Sequence, residues 1–168
     1  MSRRDRRFVA SAVAAGIGMA ALTGHHAGTS GAHATTASAI RGSIPGGSGY
    51  TPLSWAAALL SAGGWPQTSC NLGAITAWEA AEGGNWENSA AYNPLDTTMP
   101  EPDSWSMNSV NVQAYTSWQE GFQATLTTLG NGDYGGILSA LSAGNSAQAV
   151  ADAVAASPWG TGSFNATC

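Results

Sequence analysis

Two carboxylic acids and two indoles share the run Trp78-Glu79-Ala80-Ala81-Glu82-Gly83-Gly84-Asn85-Trp86. The glycine pair is a helix stop, which sets Glu82 in a last turn facing the negative end of the helix dipole. Trp78 stands four residues earlier on the same helical face, where its indole can keep water from the carboxyl. Desolvation and the dipole both favour the neutral acid and move its pKa toward the range a general acid needs at neutral pH. The plain alternative is a solvated helix-end glutamate, a common surface residue. Glu79 is the rival, three residues back on a neighbouring face; without the helix-end position it is expected to be exposed in the helix interior. Asp96, in Asn93-Pro94-Leu95-Asp96-Thr97-Thr98, is a further carboxylate, and its plain reading is a turn cap beside the two threonines.

Other chemistries are excluded by composition. The histidines are His25, His26 and His33, all near the N-terminus, and the sequence has no lysine. Beyond residue 33 there is thus no Ser-His or Cys-His nucleophile pair, no histidine-based metal site and no lysine-bearing phosphate loop. The acids Asp96, Glu101 and Asp103 do not match the spacing of a calcium loop. Neither a cofactor nor a metal is expected.

The elements that must position these acids are helical. Thr51-Pro52 opens a first helix and Gly63-Gly64 closes it, with Leu53, Ala56, Ala57 and Leu60 at helical spacing. A second helix is expected from about Asn71 to Glu82. Residues 84–115 form a long loop rich in Asn, Ser, Pro and Trp, in which Pro94, Pro100 and Pro102 exclude a long helix. Val110 to Tyr115 alternates like one short extended segment. Ser117-Trp118-Gln119-Glu120 reads as a capping box, ahead of an apolar face of Trp118, Phe122, Leu126 and Leu129. Asp133 is expected to cap a fourth helix carrying Tyr134, Ile137, Leu138 and Leu141, and a fifth spans about Ser146 to Ala156. The expected domain, residues 51–168, is all-α, with about five helices and one long loop on the substrate side.

The N-terminal residues read as a targeting segment. A basic stretch (Arg3, Arg4, Arg6, Arg7) precedes an apolar run from Phe8 to about Leu22 and small-residue cleavage sites after Ala34 and after Ala39. A signal peptide over 1–34 and a flexible leader over 35–50 are expected, so the protein is read as secreted, into the medium or the cell wall. After removal of residues 1–34, nine acids face a single arginine, Arg41, a formal charge of −8. Such a chain cannot neutralise phosphates, which excludes nucleic acid, and it has no affinity for an anionic membrane surface. Cys70 and Cys168 are an even pair in an oxidising compartment and are expected to bond.

Five short motifs carry a resemblance. The order Ser54-Trp55-Ala56, Trp78 with Glu82-Gly83-Gly84, Asn93-Pro94-Leu95-Asp96-Thr97-Thr98, Tyr115-Thr116-Ser117 and Ser157-Pro158-Trp159-Gly160-Thr161 resembles that of lysozyme-like peptidoglycan-cleaving domains of high-GC Gram-positive bacteria and their phage lysins. Glu82-Gly83-Gly84-Asn85-Trp86 is also similar to the stretch at the catalytic glutamate of resuscitation-promoting factors, with the serine position missing. The similarity spans about residues 51 to 162. It implies a monomeric lysozyme-like glycosidase or lytic transglycosylase acting on peptidoglycan glycan strands, with Glu82 as the acid, Asp96 of the matched loop motif as the best candidate for a second catalytic carboxylate, and Tyr115 near the cleft. In such a site the indoles of Trp86 and Trp105 can stack on sugar rings, and the amides of Asn85, Asn93 and Asn108 can bind N-acetyl groups. The alternative is a non-catalytic secreted protein of the same fold that binds glycan or the wall.

Overall fold

The computed structural model describes residues 49–168, and the expected signal peptide and most of the expected leader lie outside them. Five helices and one minimal sheet follow in the order α1 (Pro52–Gly63), α2 (Ser69–Glu82), β1 (Trp105–Ser106), β2 (Gln113–Ala114), α3 (Trp118–Leu129), α4 (Gly135–Ala143) and α5 (Ala147–Ala155). The domain is therefore mostly helical rather than purely α. The expected extended segment narrows to β2, which pairs antiparallel with β1 in the register Trp105 to Ala114 and Ser106 to Gln113.

Helix α2 is the central element, packed between α1 and α5, with α4 against α5 and α3 against α1. It begins two residues earlier than expected because Thr68 caps it, accepting from the Asn71 N–H at 3.1 Å. The Thr68 hydroxyl also donates to the Gly144 carbonyl at 2.7 Å, and the Asn71 amide donates to Leu141 O at 2.8 Å. The start of α2 is thereby tied to the end of α4, with the buried Asn71 amide nitrogen donating across the contact.

In α1 the buried residues are Trp55, Ala56, Leu59 and Leu60, whereas Leu53, expected inside, is 58% exposed. The stripe is rotated toward the largest side chain. The Trp55 ring stacks on Phe122 of α3, centroids 5.2 Å apart and planes 15° apart, and an aromatic pair of this kind outweighs burial of one leucine.

Two caps differ from expectation. The Ser117 hydroxyl accepts from Glu120 N as a cap should, but the Glu120 carboxylate reaches Thr116 N and the Thr116 hydroxyl instead of closing a box on Ser117. Asp133 does not cap α4: Tyr134 holds the N-cap position without a side-chain bond. The Tyr134 ring is buried against Trp159, centroids 5.2 Å apart, so core packing fixes that corner in place of a cap. Helix α5 is capped by Ser146 and stops at Ala155.

Residues 157–168 return along α2, and Cys168 is bonded to Cys70 in its first turn across a sequence separation of 98. No helix among the described residues is long and apolar enough to cross a membrane. Replacing both Cys70 and Cys168 by serine is expected to lower stability by about 2–5 kcal/mol, since so long a loop is then open in the unfolded chain. Urea unfolding measures this, and reduced wild-type protein should unfold at the same midpoint as the double mutant.

Candidate active site

Glu82 is the last residue of α2, and Gly83 terminates the helix in the left-handed conformation, φ 74°, its N–H bonded to Glu79 O. A side chain at Gly83 would be strained at that φ, which is a local reason for glycine there. At Gly84 the constraint is space: a Cβ would lie 2.1 Å from Asn93 O and 2.5 Å from an Asp96 carboxylate oxygen. The glycine pair thus lets the loop carrying Asp96 press against the end of α2.

The Glu82 carboxylate is half-buried and accepts a hydrogen bond from the Thr161 hydroxyl. Thr161 in turn accepts from the Trp78 indole N–H at 3.0 Å. Trp78 is fully buried and meets Trp159 edge-on, centroids 4.7 Å apart, while the Trp159 indole donates to Leu95 O at 2.9 Å. Residues far apart in sequence, Trp78 and Glu82, Leu95 and Asp96, and Trp159 and Thr161, therefore meet at one end of α2. Trp78 acts on Glu82 through a hydrogen bond that lowers its pKa, and the relay through Thr161 joins the two by way of the run 157–161, which carried a resemblance but no assigned role.

Burial pushes the Glu82 pKa up to about 7, helped by the negative charge of Asp96 and opposed by the Thr161 and Trp78 hydrogen bonds. Asp96 itself is held by the Asn88 amide, which donates to its two oxygens at 3.2 and 3.0 Å, and burial raises its pKa as well. Asn88 carried no signal in the sequence beyond its place in a polar loop.

Glu79 is where expectation and structure part most sharply. It is 1% exposed rather than solvated. One oxygen accepts from the Trp86 indole N–H at 3.0 Å, and the other is buried without a hydrogen-bond partner. Burial pushes its pKa up to about 8, only partly countered by the Trp86 bond. Carrying no access to solvent, it is the worse placed of the two acids to reach a substrate.

Two residues expected at a binding surface are interior. Asn93 is 0% exposed, and its side chain makes three hydrogen bonds, donating to Thr97 O and Gln113 O and accepting from Thr97 N. Tyr115 is also 0% exposed, its hydroxyl donating to Met99 O at 2.7 Å. Both therefore organise the loop from within instead of touching a ligand, because buried polar groups must be paired. Trp105, by contrast, is 50% exposed on β1, and Trp86 is half-buried beside Trp118, centroids 5.5 Å apart. A cavity of about 230 Å³ opens beside Asp96, lined by Asn88, Ser89, Ala90, Met107, Asn108 and Val112.

The loop holds every non-glycine residue with positive φ among those described: Asn85, Tyr92, Asp96 and Asn111, at 59°, 58°, 50° and 64°. Such conformations cost of order 1 kcal/mol or more each and collect where a backbone is held for use rather than for stability. No group of three or more His, Cys, Asp or Glu among the described residues could hold a metal ion. Comparison with protein-family models, with curated proteins and with solved structures gives no match.

Glu79 and Glu82 bind their protons more tightly in the folded chain, at about 8 and about 7, than at the ordinary 4.5. Their contribution to stability is complete below 4.5 and is lost as pH rises through those two values. Urea midpoints should accordingly fall between pH 5 and pH 8, and Glu79→Gln and Glu82→Gln should each flatten part of the decline. A wild-type midpoint that rises over this range would contradict the assignment.

Proposed function

We propose that the domain is a secreted, lysozyme-like enzyme that cleaves peptidoglycan glycan strands, as a muramidase or lytic transglycosylase, with Glu82 as its general acid. The observation that carries this reading is the half-buried Glu82 at the glycine-closed end of α2, its pKa pushed up to about 7 by burial and by Asp96. A carboxyl so placed is still substantially protonated at neutral pH and can give its proton to a glycosidic oxygen as the C–O bond breaks. The order of the five motifs supports the same reading, since three of them meet around this acid.

Two routes complete the reaction. Asp96 can stabilise or attack the developing oxocarbenium carbon, or direct a water to it. Alternatively, Glu82, now ionised, acts as base while the substrate's own N-acetyl and hydroxyl groups close the ring. The first route gives a reducing sugar and the second an anhydro sugar, lighter by one water. With nine acids and no basic side chain among the described residues, attraction to an anionic wall supplies nothing. Binding falls to exposed Trp105, half-buried Trp86 and the amide- and hydroxyl-lined cavity beside Asp96.

Incubation with purified peptidoglycan, read by mass spectrometry, tests the assignment. Wild-type protein should release soluble muropeptides, and Glu82→Gln should lose at least about a hundredfold in rate, the usual lower bound for a general acid. Activity should fall as pH rises above about 7, where Glu82 ionises, and in Asp96→Asn the Glu82 carboxyl, titrated by NMR, should lose its proton at lower pH because a charge that holds the proton on is gone. Equal release by wild type and Glu82→Gln would discard Glu82 as the acid. Binding without release by either would identify a glycan-binding protein.

A further inference from the structure

Glu79 has no part in the chemistry above, yet a carboxyl buried to 1% exposure, with one oxygen unpartnered, is costly to keep. Its paired oxygen accepts from the Trp86 indole, and Trp86 lies in the tight turn that follows Glu82. That turn is closed by bonds from Glu87 N and Asn88 N to Gly83 O, both 3.0 Å. Asn88, at its end, holds both oxygens of Asp96, and Asp96 is the charge acting on Glu82. Asn85, within it, accepts from Tyr92 N at 2.7 Å and links the turn to the segment leading to Asp96. A continuous line thus runs from Glu79 through Trp86, the turn and Asn88 to Asp96 and back to Glu82.

From this geometry we infer that Glu79 is a positioning residue: by latching the Trp86 indole it holds the 83–88 turn, and through Asn88 it keeps Asp96 against Glu82. A hydrophobic residue of similar size would fill the space but leave the indole N–H without its acceptor, so the turn would loosen and Asp96 would move away. Glutamine keeps an acceptor oxygen and should preserve the latch. Asp96 is the charged group that raises the Glu82 pKa, so its displacement would reach the acid directly. The inference rests on Glu82 being the acid of the proposed reaction, but its test need not use that reaction.

The test compares wild type, Glu79→Gln, Glu79→Leu and Trp86→Phe in the full chain by NMR. It follows the Trp86 indole N–H resonance and the pH titration of the Glu82 carboxyl, with near-UV circular dichroism to verify folding. Glu79→Gln should retain the indole resonance and a Glu82 midpoint close to that of the wild type. Glu79→Leu should shift the indole resonance and lower the Glu82 midpoint, as its charged neighbour recedes and water enters. Trp86→Phe, which keeps a ring but removes the N–H, should lower the midpoint likewise and serves if Glu79→Leu does not fold. An unchanged Glu82 midpoint in a folded Glu79→Leu or Trp86→Phe protein would overturn the inference and leave Glu79 a buried acid of structural effect only. Failure of the wild type to cleave peptidoglycan would remove the proposed function, while these titrations would still decide the role of Glu79.

Discussion

With no lysine, arginine or histidine among residues 49–168, every carboxylate that leaves water there must find a neutral donor or keep its proton. This governs the site. Glu82 is met by a threonine hydroxyl, Asp96 by an asparagine amide and Glu79 by an indole N–H. A neutral donor offsets only part of the desolvation that a guanidinium would more than cancel, so all three acids end with raised pKa values. A single arginine nearby would drive the same carboxyls toward permanent ionisation. The absence of cations, which in the sequence served only to exclude partners, thus becomes the physical basis for Glu79 and Glu82 holding protons near neutral pH.

The indoles have divided duties under this constraint. Trp78 and Trp159 use their rings to exclude water and their N–H groups to fix Thr161 and Leu95. Trp86 uses its N–H on a buried acid and its ring against Trp118. Trp55 serves packing alone, its N–H buried and unpartnered. Trp105 is the most exposed, on a two-residue strand whose partner residue Ala114 is buried. The tryptophans named here therefore divide into donors for a carboxylate, a hydroxyl and a carbonyl, core, and one ring left facing solvent.

Much of this was legible from local signals. Glycine pairs and capping residues carry helix ends in a few adjacent residues, which is why Gly63-Gly64, Gly83-Gly84 and Ser146 placed α1, α2 and α5 closely. The position of Glu82 relative to Trp78 followed from helical spacing alone. What local spacing could not carry was which side of a helix faces inward when the apolar residues are mostly small. Leu53 was assigned to the core and Glu79 to solvent because the partners that decide otherwise, Phe122 and Trp86, come from outside those helices. Asn93 and Tyr115 stood in the right loop, but their residue types suit a ligand and a buried network equally, and only their bonds to Thr97, Gln113 and Met99 distinguish the two. Thr161 and Asn88 act on acids 79 and 8 residues away, a relation that sequence spacing does not express.

Those long separations also bear on how the chain reaches its final form. The Thr161–Glu82 bond, the Trp159–Leu95 bond and the disulfide span 79, 64 and 98 residues, whereas the helices themselves close over three or four. Contacts of such high sequence separation are paid for in loop-closure entropy and dominate the folding time of an otherwise local, helical architecture. The helices can form early, but Glu82 is desolvated only when the segment carrying Trp159 and Thr161 docks along α2. Until that step its carboxyl is more open to water and lacks the Thr161 hydrogen bond. The perturbed acidity is therefore a property of the completed tertiary structure, and its appearance during refolding would report the docking of that segment in real time.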